Sequence, residues 1–133
     1  MADATLAFRA SQIALIRSDA PMVSLIGQRV YDAIPQEEVF PYVRVGDDLV
    51  LDFGAKLSPG QEFDFSFHIF DRSSPDRGQF RVNQISARLY DLYHEQPIAV
   101  SGFNPYLSRF RQSRVASDDG MTWHGISTFR LLL

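Results

Sequence analysis

Phe63, Phe65, Phe67 and Ile69 alternate with Asp64, Ser66 and His68. Side chains along a strand point to opposite faces with a period of two, so this segment reads as a half-buried strand, aromatic on one face and polar on the other. An apolar sheet face has to be covered by a second layer.

Two amphipathic segments can supply that layer. Ala4 to Arg17 predicts a helix with Leu6, Ala10, Ile13 and Ile16 at helical spacing and Arg9, Gln12 and Arg17 on other faces. Asp19-Ala20-Pro21 then reads as a cap with Pro just inside a short second helical turn through Leu25 and Ile26. Gly27 is placed to end it, since only Gly enters the left-handed region without steric cost. Further on, Ser74 is a candidate N-cap, with Pro75 at the first helical position and Asp76 favourable to the dipole. Val82, Ile85, Leu89, Leu92 and Tyr93 form one stripe of the helix that follows, which ends near Glu95; Arg81, Arg88 and Asp91 lie opposite.

The remaining segments are extended. Arg29 to Ile34 ends at Pro35, and Pro41 to Val45 begins with Pro where a missing N–H does no damage. Residues 46–60 mix Gly, Asp, Ser and Pro with Leu49, Val50, Leu51 and Phe53, and read as a strand end followed by a long loop. Ile98-Ala99-Val100 is a short strand after Pro97. Tyr106 to Ala116 and Met121 to Leu133 are two more, joined at Ser117-Asp118-Asp119-Gly120, where Asp-Gly signals a hairpin. The expected fold is α+β, a mostly antiparallel sheet with the N-terminal and central helices packed on one face.

The chain is the length of one domain and should bury roughly two-thirds of the surface its unfolded form exposes. Its 11 Phe, 5 Tyr and 1 Trp supply the core without crosslinks, and the absence of Cys excludes disulfides, thiolate zinc sites and cysteine nucleophiles. The start Met1-Ala2-Asp3-Ala4-Thr5 lacks the features of a signal peptide, and no run is long and apolar enough for a membrane span. A soluble, non-exported chain without a membrane partner is expected.

Chemistry is hard to find. His68, His94 and His124 show no metal-motif spacing, and each reads as structural. Asp118-Asp119 reads as a turn and Asp47-Asp48 as a solvated loop. No serine sits in a nucleophile context, and no phosphate-binding Gly motif occurs. No enzyme, cofactor or metal is expected. Tyr106 to Arg114 interleaves Arg with aromatics and contains no acid. That pattern fits either a nucleic-acid surface or a polar-out, apolar-in strand, in which Arg109 and Arg111 share one face and Phe110 and Arg114 the other.

The net charge of −3 argues against a dedicated nucleic-acid binder, and its distribution is uneven. Residues 1–71 carry 11 acidic and 5 basic side chains, residues 72–133 carry 5 and 8. Either this is ordinary scatter, or neighbouring copies present complementary faces, as in a head-to-tail ring.

Several motifs in order resemble the small phage tail terminator (tail completion) proteins, also found in gene transfer agents. They are the helix with Ile13-Ala14-Leu15, then Gly27-Gln28-Arg29-Val30-Tyr31-Asp32, Pro35, and Pro41-Tyr42-Val43-Arg44-Val45-Gly46. The aromatic strand Phe65 to Phe70 before a helix, and the closing Asp118-Asp119-Gly120-Met121-Thr122-Trp123-His124-Gly125 with Ile126 to Arg130, complete the series. The resemblance implies a structural protein whose copies, typically six, form a ring on the head-proximal end of a tail tube. Such a ring stops tube polymerisation and offers a docking surface to the head connector, with DNA passing through its lumen without sequence-specific contacts. It implies a place in the virion or gene transfer agent particle, after assembly in the bacterial cytoplasm. The loop at 46–60, with Asp47, Asp48, Asp52, Phe53 and Lys56, is the first candidate for an arm reaching a neighbour. Arg109, Arg111 and Arg114 facing Asp47, Asp48 and Asp52 of that neighbour would satisfy the charge asymmetry. A head–tail connector ring, and a small ligand-binding domain with the aromatic strand lining a pocket, are the alternative readings.

Overall fold

The computed structural model describes residues 5–35, 39–46, 48–52, 61–72, 79–98, 107–117 and 119–132. Its centre is the predicted aromatic strand, which extends in both directions to Gln61–Arg72 (β4). β4 pairs antiparallel with Thr122–Leu132 (β7) from Glu62 opposite Leu132 to Arg72 opposite Thr122. β7 continues through the hairpin to Leu107–Ala116 (β6), whose start pairs with the short Gln96–Pro97 (β5). On the other side of β4 lie Tyr42–Val45 (β2) and Leu49–Asp52 (β3), and β2 carries the only parallel neighbour among the described residues, Val30–Tyr31 (β1). The order is β1-β2-β4-β7-β6-β5, with β3 beside β4.

The helices Thr5–Ser18 (α1), Ala20–Ile26 (α2) and Phe80–Tyr93 (α3) supply the covering layer. Phe63, Phe65, Phe67 and Ile69 are buried beneath them with Phe129 and Leu131 of β7. Aromatic contacts knit the layers: Phe8 meets Phe63 at 4.4 Å between ring centroids, Tyr93 meets Phe67 at 5.0 Å, and Phe65 stacks on Phe129 at 5.5 Å. Each such ring contributes about 2–3 kcal/mol by leaving water. Val82, Ile85, Leu89 and Tyr93 are buried and Leu92 is partly so, as the stripe on α3 predicts.

Polar bonds then fix how the helices sit. Asp19 caps α2 by accepting the Met22 N–H at 3.0 Å, Pro21 follows in the first turn, and Gly27 ends the helix at φ 61°. The same carboxylate receives the Arg88 guanidinium of α3 at 2.6 and 2.9 Å. The Arg88 bonds, helped by the Met22 N–H and opposed by burial, hold Asp19 below the ordinary carboxylate range. Arg81, in the first turn of α3, forks onto the fully buried Asp71 at 2.8 and 3.0 Å.

Several expectations change. The buried stripe of α1 is Phe8, Gln12 and Ile16, while Ala10 is exposed. Gln12 enters the core because its Oε1 accepts the Tyr93 hydroxyl at 2.7 Å. The extended reading of 29–34 contracts to two residues of β1, and Leu49 to Asp52, read as a strand end before a loop, form a paired strand. Residues 53–60, the Ser74-Pro75-Asp76 signal and Ala99-Val100 lie outside the described residues; the described part of α3 begins at Phe80 after Gln79. Among the described residues no helix is long and apolar enough to cross a membrane.

Candidate interaction surface

All the helix packing falls on one face of the sheet, and the polar half of the β4 alternation therefore looks outward. Residues directly opposite in antiparallel strands share a face, so the register assigns the rest. Arg44 of β2 lies opposite His68, Thr128 of β7 opposite Ser66, and Arg109 of β6 opposite Arg130.

A bulge at Arg111 alters β6. Phe110 pairs with Phe129, but Gln112 pairs with Thr128, so Arg111 is the extra residue. The insertion reverses the alternation beyond it. Arg114, opposite Ile126, consequently joins Arg109 on the outer face instead of sharing a side with Phe110 as a regular strand would require. Arg111 reaches the same face, where it binds Asp64 at 3.0 Å.

This end of the outer face is a charge network. Asp64 lies between Arg111 and Arg130, and Arg130 also pairs with Glu62. Burial, followed by repulsion from Glu62, raises Asp64 above the ordinary carboxylate value, with the two arginines pulling the other way.

The other end is aromatic and cationic. Tyr42 stacks on Phe70 at 5.0 Å, Phe70 on His124 at 4.4 Å, and His68 lies 2.8 Å from His124 through Nδ1 and Nε2. Burial, then the charges of Arg44 and Arg114, lower the His124 pKa. Gly46 fits against this patch because a Cβ there would meet Ser66 Oγ at 2.4 Å and the His68 ring at 2.5 Å. The histidine pair escapes a search for spacing motifs, since its members are 56 residues apart. Aligning the two Phe-bearing strands so that Phe65 opposes Phe129 brings them together.

The predicted interface residues separate on the structure. Arg109 and Arg114 are exposed and form no ion pair among the described residues. Arg111 is bound to its own chain's Asp64. Asp48 is almost fully covered and receives Arg9 at 2.8 Å; Arg9 also binds Asp32 and the carbonyls of Val45 and Gly46, tying α1 to the turn after β2. Asp52 ends β3, and Asp47, Phe53 and Lys56 lie outside the described residues. Among the described residues no three His, Cys, Asp or Glu side chains are grouped to hold a metal ion. The outer face offers charge and stacking, and among the described residues β3 and most of β6 have a strand neighbour on one side only, which suits association with another protein.

Comparison with known proteins points the same way. The family model described as tail completion protein gp17 matches residues 13–133. The tail completion protein gp17 of Bacillus phage SPP1 is 28% identical over 132 residues, covering 96% of this chain and 95% of that protein. A chain from the virion of a native gene transfer agent particle aligns with a TM-score of 0.87 at 21% identity, over 99% of this chain and 98% of that one. The structure of bacteriophage SPP1 gp17 aligns with a TM-score of 0.53 at 20% identity, over 98% and 90% of the two chains. At these identities the two structures speak for the fold alone.

Proposed function

The chain belongs to the tail completion protein gp17 family, a family of structural phage tail proteins, and on that premise we propose that it terminates a tail tube. Copies of the chain, six by analogy with the tail terminators it resembles, form a ring on the head-proximal end of the tube in a phage or gene transfer agent particle. One side of the ring binds the last tube subunits. The other side cannot accept a further tube subunit and instead receives the head connector. DNA passes through the lumen, held by no base-specific contact. The whole chain acts as one such domain, assembled in the bacterial cytoplasm.

The observation that carries this reading is the family match, which runs from the middle of α1 to the last residue and so spans the entire sheet. Physical features agree with it. Among the described residues the helices cover the core from one side only, leaving a sheet face with a charge network and an aromatic–histidine patch, and strand edges, for protein contacts. A subunit with different surfaces at its two margins associates head to tail, and such an interface closes into a ring when its rotation divides a full turn.

The test is tube growth in solution. Tail tube protein polymerising alone should lengthen with time, and adding this protein should arrest growth and leave it bound at one end of each tube. Tubes that elongate at the same rate, with no end-bound protein, would rule the function out.

A further inference from the structure

Among the described residues, two margins of the sheet are open in complementary ways. At one, β5 covers β6 only at Leu107 and Ser108, and His94 Nδ1 takes the Phe110 N–H at 3.2 Å. From Arg111 to Ala116, β6 has β7 as its sole strand neighbour among the described residues. Beside this edge lies a cleft of about 380 Å³, lined on α3 by Asn83, Ser86, Ala87, Tyr90 and Asp91 and on β6 by Phe110 and Ser113. An edge strand flanked by a helix and a cleft is the geometry that accepts an added strand, whose backbone pairs with the edge while alternate side chains enter the cleft.

At the opposite margin, β3 has β4 as its sole strand neighbour among the described residues. Its sequence is Leu-Val-Leu-Asp, an apolar edge of the kind that proteins normally cover. β1 is a poorer donor: it has two residues, and Arg17 already occupies the Val30 carbonyl at 2.8 Å. Charge also distinguishes the two margins. On the outer face β6 carries Arg109, Arg111 and Arg114 with no acid, whereas the β3 positions in register with that face are Leu49 and Leu51.

We infer that β3 of one copy adds to the β6 edge of the next, beside α3, so that the subunits share a continuous sheet. β3 and β6 are separated within a copy only by β4 and β7, and lie at opposite margins. Each copy therefore donates at one side and accepts at the other, which is the requirement for a heterologous, closable assembly. This inference rests on the ring reading and assigns its subunit contact.

The chain has no native Cys, so single cysteines report cleanly. Tails would be isolated from particles carrying Leu51→Cys and Gln112→Cys copies with tags of different size, then treated with a short bismaleimide; both positions are in register with the outer face. Leu49→Cys with Arg114→Cys serves as a second pair in the same antiparallel register. The expected product is a dimer containing one copy of each tagged form, absent when either variant is present alone. Intact tails with several copies per tail, but no mixed dimer from either pair, would overturn the strand addition and leave the ring standing. One copy per tail would overturn both.

Discussion

His68 and His124 meet across the β4–β7 pairing through facing ring nitrogens 2.8 Å apart, a contact that survives only while one of those nitrogens is bare. Burial, then Arg44 and Arg114, lower the His124 pKa below its usual 6.5, so the unfolded chain takes up this proton at a higher pH than the folded one. The contribution to stability is therefore complete above the unfolded value and is lost as pH falls through the folded one. Urea unfolding from about pH 7.5 to about pH 5 should show stability declining on acidification. His124→Phe keeps a ring on Phe70 and should flatten that decline. Parallel profiles for the two proteins would contradict the assignment.

Arg81 on Asp71 joins the start of α3 to the end of β4, and the carboxylate is fully buried while the guanidinium is partly exposed. Arg81→Ala orphans a buried charge and should cost about 3 kcal/mol in chemical denaturation, the low end for such a loss. Adding Asp71→Asn should recover part of it. A loss no larger than that of an ordinary surface substitution, about 0.5 kcal/mol, would show the pair to be dispensable.

Gly125 opens the space that α3 occupies. A Cβ there would stand 2.6 Å from Val82 Cγ1, and Val is stiff at χ1, so relief has to come from moving the helix. Gly125→Ala should destabilise by about 1–3 kcal/mol, as overpacking does. Val82→Ala in the same chain should offset much of that cost. Additive losses in the double variant would mean that the two positions do not share the space.

What the sequence disclosed, and what it hid, follows from how local each signal is. The β4 alternation, the Asp19–Pro21–Gly27 punctuation of α2 and the α3 stripe depend on near neighbours, and all three were legible. The hairpin turn was too: Gly120 has φ 74°, and Asp119 Oδ1 accepts the N–H groups of Met121 and Thr122. The sequence puts Gln12 off the buried stripe because its burial depends on Tyr93, far along the chain. Leu49 to Asp52 reads as the end of a strand in the sequence because its pairing to β4 has no local signature. The bulge at Arg111 left no mark in composition, yet it decides that Arg109 and Arg114 share a face. The arginines of β6 are thus legible in the sequence, but the face they share is not.

Arg109 and Arg114 are exposed and form no ion pair among the described residues, whereas Arg111 is engaged with Asp64. Arg109→Glu with Arg114→Glu should leave unfolding free energy within about 1 kcal/mol of the parent, because neither side chain is buried. The same pair should abolish ring assembly on tubes, read by negative-stain microscopy of tube ends. Wild-type occupancy of those ends would remove the arginines from the interface.

The central claim is tested most directly by deleting the gene from the producing phage or gene transfer agent and measuring tail lengths by electron microscopy. Termination predicts abnormally long tubes without heads, returned to normal length and joined to heads when the protein is supplied. Tails of normal length left detached from heads would contradict termination and favour a connector, and unchanged, fully joined particles would contradict any role in tail assembly.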